Sequence, residues 1–99
     1  MDTTILPIKV SDIPAGQGKA IDVGGDQYVV HNDGQSIIVM ENRCPHAGCL
    51  VNWNTAARTW DCPCHGSRFN ADGTVKKGPA REPLPRIPAQ VVDDEIRIG

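Results

Sequence analysis

All four cysteines of the chain, and two of its three histidines, lie between Cys44 and His65. They form two groups, Cys44-Pro45-His46-Ala47-Gly48-Cys49 and Cys62-Pro63-Cys64-His65-Gly66-Ser67. Thiols and imidazoles clustered so tightly serve metal ligation or disulfide bonding. Either use would tie two loops together, which suits a chain of 99 residues, because a domain this small buries a modest share of its surface. The groups offer more candidate ligands than tetrahedral zinc needs, and zinc knuckles space a cysteine pair and then repeat it. Here each group holds one Cys and one His plus a spare Cys. A zinc site, a mixed-ligand iron–sulfur cluster and a disulfide-tied domain all remain open on this reading.

The rest of the chain reads as one all-β domain over residues 1–99. Apolar residues make up 39%, a globular proportion. Helical periodicity is nearly absent, and short β-prone runs alternate with Gly, Asn, Asp and Pro. Strands are expected near residues 5–10, 20–23, 27–31, 36–41, 51–53, 59–62, 68–69, 87–92 and 95–98. Gly24-Gly25-Asp26, Asn32-Asp33-Gly34 and Asn70-Ala71-Asp72-Gly73 carry turn chemistry. His31 falls on a hairpin around the second of these turns and reads as a strand residue rather than a ligand. Four prolines within residues 78–88 predict a stiff, irregular loop. Trp53 and Trp60 read as packing residues of a small core.

The two groups resemble the motifs of the Rieske iron–sulfur family. Its first motif, Cys-x-His-x-Gly-Cys, matches residues 44–49. Its second, Cys-x-Cys-His-Gly-Ser in the disulfide-bearing branch, matches residues 62–67. A proline loop of Gly-Pro-Ala type matches Gly78-Pro79-Ala80. The resemblance spans roughly residues 37–88. It implies a Rieske-type antiparallel β-sandwich with a cluster-binding subdomain, about residues 43–82, built of two loops and the proline loop.

The resemblance also implies roles. Cys44 and Cys62 would be thiolate ligands of an inner iron, and His46 and His65 ligands of an outer iron, in one [2Fe–2S] cluster. Cys49 and Cys64 would form the disulfide. Gly48 and Gly66 would let the backbone approach the cluster sulfurs. Ser67 resembles the family's hydroxyl donor to a bridging sulfide. Phe69 stands where respiratory members carry a Tyr whose hydroxyl donates to a ligand sulfur. Gly78 and Pro79 would cover the cluster.

Charge narrows the partners. Residues 43–86 hold seven basic against three acidic side chains, a balance of +4, and the remainder three against nine, a balance of −6, which together make the net −2. Nothing here is a nucleic-acid signature, and the basic half suits an acidic partner. No catalytic acid–base set stands apart from the cysteine–histidine groups. The expected function is one-electron transfer, as a soluble carrier or as a module of a larger oxidoreductase, with a redox protein or a fused flavoprotein domain as partner. Residues 53–70 resemble the C-terminal Rieske domain of certain FAD-dependent oxidoreductases. The alternative is the head of a quinol-oxidising cytochrome bc-type complex. Ala47 counts against that, because respiratory members carry a bulky Leu beside the His. A structural zinc domain is the remote alternative. The start, Met1-Asp2-Thr3-Thr4, has no leader character, and no run reaches membrane length, so no membrane insertion is expected. A cytoplasmic location is expected if the disulfide is buried, a periplasmic one if a leader or anchor was removed.

Overall fold

The computed structural model describes residues 3–46 and 48–99. The expectation at Ala47 therefore lies outside the described residues. Among the described residues, eleven strands form three antiparallel sheets. The first sheet has the order β1 (Thr4–Lys9), β11 (Glu95–Ile98), β10 (Ala89–Val92). The second runs β2 (Gly18–Val23), β3 (Asp26–Asn32), β4 (Ile37–Glu41), β9 (Arg86–Ile87). The third runs β5 (Asn52–Asn54), β6 (Thr59–Asp61), β7 (Arg68–Asn70), β8 (Val75–Lys77).

The second sheet is the middle layer. Successive residues of a strand face opposite sides, so a strand covered on both faces reads as an unbroken apolar run. In β3, Val30 joins one buried cluster with Leu6, Ile8, Ile13, Val39, Ile96 and Ile98, while Val29 joins the other. In β4 the same alternation sends Val39 to the first cluster and Met40 to the second. The second cluster contains Cys44, Val51, Trp60, Cys62, Phe69, Ala80 and Leu84. The runs Tyr28-Val29-Val30 and Ile37-Ile38-Val39-Met40 thus hold the two outer sheets to a common middle.

The all-β reading and the hairpin around Asn32-Asp33-Gly34 agree with the structure, and β3 pairs with β4 from Tyr28–Glu41 to Asn32–Ile37. Two local expectations are corrected. Residues 87–92 are not one strand: β9 pairs with β4 in the middle sheet, and β10 pairs with β11 in the first. Pro88 lies between them, and its missing N–H cannot continue a ladder. The strand β8 was not expected. The turn before it is closed by Asn70 N–H to the Thr74 carbonyl at 2.7 Å and Gly73 N–H to the Asn70 carbonyl at 2.8 Å, and the exposed Lys76-Lys77 pair conceals any alternation.

The middle and third sheets meet closely at Gly18. A Cβ there would stand 2.6 Å from Cζ2 of Trp60, a fully buried ring with no room to move. Gly18→Ala is predicted to destabilise the chain by about 1–3 kcal/mol and to lower the thermal midpoint by roughly 5 °C or more. A scanning calorimetry trace matching the parent chain would contradict this close approach.

Candidate metal centre

The two loops leave the second cluster side by side and share an internal hydrogen-bond pattern. In the first, Cys44 N–H donates to the Cys49 carbonyl at 2.8 Å, and Gly48 N–H to the Cys44 carbonyl at 2.7 Å. In the second, Cys62 N–H donates to the Ser67 carbonyl at 2.8 Å, and Gly66 N–H to the Cys62 carbonyl at 3.1 Å. Aligned on these bonds, Cys44 corresponds to Cys62, His46 to Cys64, and Cys49 to Ser67. Gly48 and Gly66 have φ of 72° and 79°, the left-handed backbone that glycine adopts without strain. A Cβ at either would meet no protein atom within 4 Å. Backbone conformation, rather than crowding by protein, is therefore what calls for glycine.

The four expected ligands come together as two pairs, thiol with thiol and imidazole with imidazole. The thiols of Cys44 and Cys62 are buried, 1% and 2% exposed, at the top of the apolar cluster. His46 and His65 are exposed, and their rings meet edge to face with centroids 4.9 Å apart. Cys49 and Cys64 form a disulfide that ties one loop to the other. The sulfurs of Cys49, Cys62 and Cys64 lie within 4.8 Å of one another. With two of the three in a disulfide, this trio offers one free thiol, and a metal ion needs the donors of both loops. His31 sits apart in the core, with Nδ1 3.0 Å from the Gln17 carbonyl, as a strand residue.

The donor set fits a cluster of soft and borderline ligands. Burial pushes the Cys62 thiol above its ordinary value, with N–H groups of Cys64 and His65 at its sulfur acting the other way and the Cys44 sulfur adding to the rise. Two thiols held beside each other in an apolar pocket gain from a cation that accepts both as thiolates. Backbone N–H groups aimed at a sulfur suit the bound, charged form.

The surroundings complete the site. Ser67 is fully buried, and its Oγ accepts the Ala80 N–H at 3.0 Å, which pins the proline loop and leaves the hydroxyl hydrogen without an acceptor among the described residues. Pro79, Arg81 and Glu82 line an open hollow of about 460 Å³ with Pro45 and His46. Arg81 and Glu82 were not singled out from the sequence, where ordinary charged loop residues carry no mark. Phe69 is fully buried opposite Trp60 across β6 and β7. Trp60 donates from Nε1 to the Ala71 carbonyl at 3.2 Å, and Trp53 to Oε1 of Gln17 at 2.9 Å, so both indoles are packing residues.

This fold, with paired Cys/His loops over a buried thiol pair, defines a small iron–sulfur electron-transfer domain. The Rieske [2Fe-2S] domain profile matches residues 4–88, and the chain belongs to that family. It is 42% identical over 81 residues to a Rieske 2Fe-2S iron-sulfur protein, YhfW, of Bacillus subtilis, covering 81% of this chain and 16% of that protein. It is 38% identical over 89 residues to the cytochrome b6-f complex iron-sulfur subunit of Chlorobaculum tepidum, covering 90% of this chain and 49% of that one. The chain thus spans half or less of these relatives. Among solved structures, the plasma membrane Rieske protein PetC3 of Synechocystis superposes with a TM-score of 0.78 at 32% identity, over 92% of this chain and 94% of that one. The chain is accordingly a one-electron transfer domain with a single [2Fe–2S] cluster.

The disulfide closes a loop of sequence separation 15. Replacing both Cys49 and Cys64 by Ser is predicted to cost about 3 kcal/mol in the chain-entropy account, read as a lower urea midpoint. An unchanged midpoint would show that the bridge does not restrain the loops.

Proposed function

We propose that Cys44 and Cys62 hold one iron through thiolates, that His46 and His65 hold the other through imidazole nitrogens, and that the chain relays single electrons between two partners. The observation that carries this reading is the convergence of two buried thiols and two exposed imidazoles from loops of like internal bonding. When bound, the cluster supplies a centre that accepts and returns one electron. Two ferric ions, two sulfides and two thiolates sum to zero charge, whereas four thiolates would leave the centre doubly negative. Imidazole ligation therefore eases electron entry and raises the potential, into a range of roughly −150 to +300 mV. N–H groups at the Cys62 sulfur and the free Ser67 hydroxyl hydrogen work in the same direction. The exposed His46 and His65 give a partner its closest approach to the centre.

The wider role is that of an electron-transfer unit, either a separate carrier or a module of a larger oxidoreductase, with a redox protein or flavoprotein domain as partner. The match to one sixth or so of YhfW supports a module. The similarity to a cytochrome b6-f subunit favours a second reading, a quinol-oxidising head. No helix among the described residues is long and apolar enough to cross a membrane. Cys64 is exposed and Cys49 half-buried. An unsheltered bridge supports an oxidising compartment over the cytoplasm.

Anaerobic mixing of the reduced chain with a soluble quinone, a c-type cytochrome and a flavoprotein tests the role. Fast transfer to a protein partner is expected, and fast transfer to the quinone alone would overturn the carrier reading in favour of the quinol-oxidising one. Ser67→Ala is predicted to lower the midpoint potential by roughly 40 mV and Phe69→Tyr to raise it by about as much. That is the one-electron equivalent of a hydrogen bond of about 1 kcal/mol. Redox titration reads both, and a rise in the first or a fall in the second would contradict the hydrogen-bond account.

A further inference from the structure

The two loops are closed differently at their bases. Below the second, Asp61 and Arg68 are paired residues of the β6–β7 ladder. Below the first, β4 ends at Glu41 and β5 begins at Asn52, and these strands belong to different sheets. Asn42 fills the gap with its side chain. Its Oδ1 accepts the Val51 N–H at 2.7 Å, and its Nδ2 reaches the Val51 carbonyl at 3.4 Å. The amide thus reproduces the two-bond exchange of a β-pair, set wider by the length of one side chain.

The clamp is anchored at both ends and dry. Asn42 is 4% exposed and Val51 1%, so water is poorly placed to stand in for either partner. Asn42 N–H donates to the Gln27 carbonyl of β3 at 2.9 Å, which fixes the residue to the middle sheet. Val51 packs in the same apolar cluster as Cys44 and Cys62. A buried amide is costly unless hydrogen-bonded, and an apolar side chain would avoid that cost only by leaving the Val51 N–H and carbonyl unpaired. What the amide adds is a fixed distance between the two ends of the first loop.

We infer that Asn42 is a positioning residue for electron transfer: it holds the first loop at the width that brings Cys44 and His46 to face Cys62 and His65. The inference rests on the ligand set proposed above. The hydrogen bonds of Asn42 run to the backbone of Val51 and Gln27, so it acts through the loop backbone. Asp at this position keeps an acceptor for the Val51 N–H but replaces the Nδ2 donor with an oxygen facing the Val51 carbonyl, at the cost of a buried carboxyl. Leu is of similar size and keeps neither bond, leaving buried backbone groups unpaired.

The test uses the cluster-loaded full chain and its Asn42→Asp, Asn42→Leu and Ile96→Val variants. Three quantities are measured: the EPR spectrum of the reduced form, the midpoint potential, and the first-order loss of visible cluster absorbance at fixed temperature. Asn42→Leu is expected to shift the EPR spectrum and potential and to lose absorbance about tenfold faster, while Asn42→Asp, which keeps one bond and loses the other, falls between Asn42→Leu and the parent. Ile96→Val, which weakens packing in the buried cluster that holds neither cysteine, is expected to lower the thermal midpoint with the EPR spectrum unchanged. If Asn42→Leu does not fold, Asn42→Ser, whose hydroxyl is too short to span to Val51, carries the same expectation. An Asn42→Leu spectrum and potential identical to the parent, or behaviour matching Ile96→Val, would overturn the positioning role. A parent chain without a mixed-ligand [2Fe–2S] spectrum would instead overturn the ligand set, and the positioning role with it.

Discussion

Cys44 and Cys62 belong to the same buried cluster as Trp60, Phe69, Met40 and Leu84, and this shared burial joins the metal centre to the fold. Apolar packing that stabilises the third sheet on the middle sheet also brings the two thiols side by side. Fixing them there disfavours lone thiolates, because charge is expensive in an apolar pocket. A cation that takes both sulfurs removes that penalty, so metal binding and packing reinforce each other. The imidazoles lie at the other extreme. They are exposed at the loop tips, where a partner can reach them.

The loops share one hydrogen-bond pattern but not one restraint. The second continues a regular ladder and is tied back to the proline loop through Ser67 and Ala80. The first leaves the middle sheet, crosses to the third, and depends on the Asn42 clamp at its base and the Cys49–Cys64 bridge toward its far end. Bonded alignment of the loops places His46 opposite Cys64, so the imidazoles are not equivalent positions of a duplicated unit. With the ligand set proposed above, neutral charge on the oxidised centre, donors at the Cys62 sulfur and the Ser67 hydroxyl would all ease the arrival of an electron.

Much of this was legible in the residues. The two Cys/His groups marked the centre because such spacing has few physical uses. The apolar runs of β3 and β4 marked strands, but their meaning as a doubly covered middle layer needed the third dimension. Pro88 was visible as a breaker, yet the expected strand ran through it, since local apolar character outweighed one missing donor. Lys76 and Lys77 hid β8, whose pairing is set by the turn before it. Asn42 left no mark at all: a single Asn after a strand reads as loop chemistry, and its role appears only when Val51 is placed beside it.

The central claim is that one centre draws its ligands from both loops, two sulfurs and two imidazole nitrogens. Pulsed EPR of the reduced, cluster-loaded chain reads this directly through the magnetic coupling of nitrogen nuclei to the cluster. The account predicts two strongly coupled nitrogens, with one lost in a His46 variant that still binds iron. A loaded cluster without strongly coupled nitrogen would mean all-sulfur ligation and would contradict it.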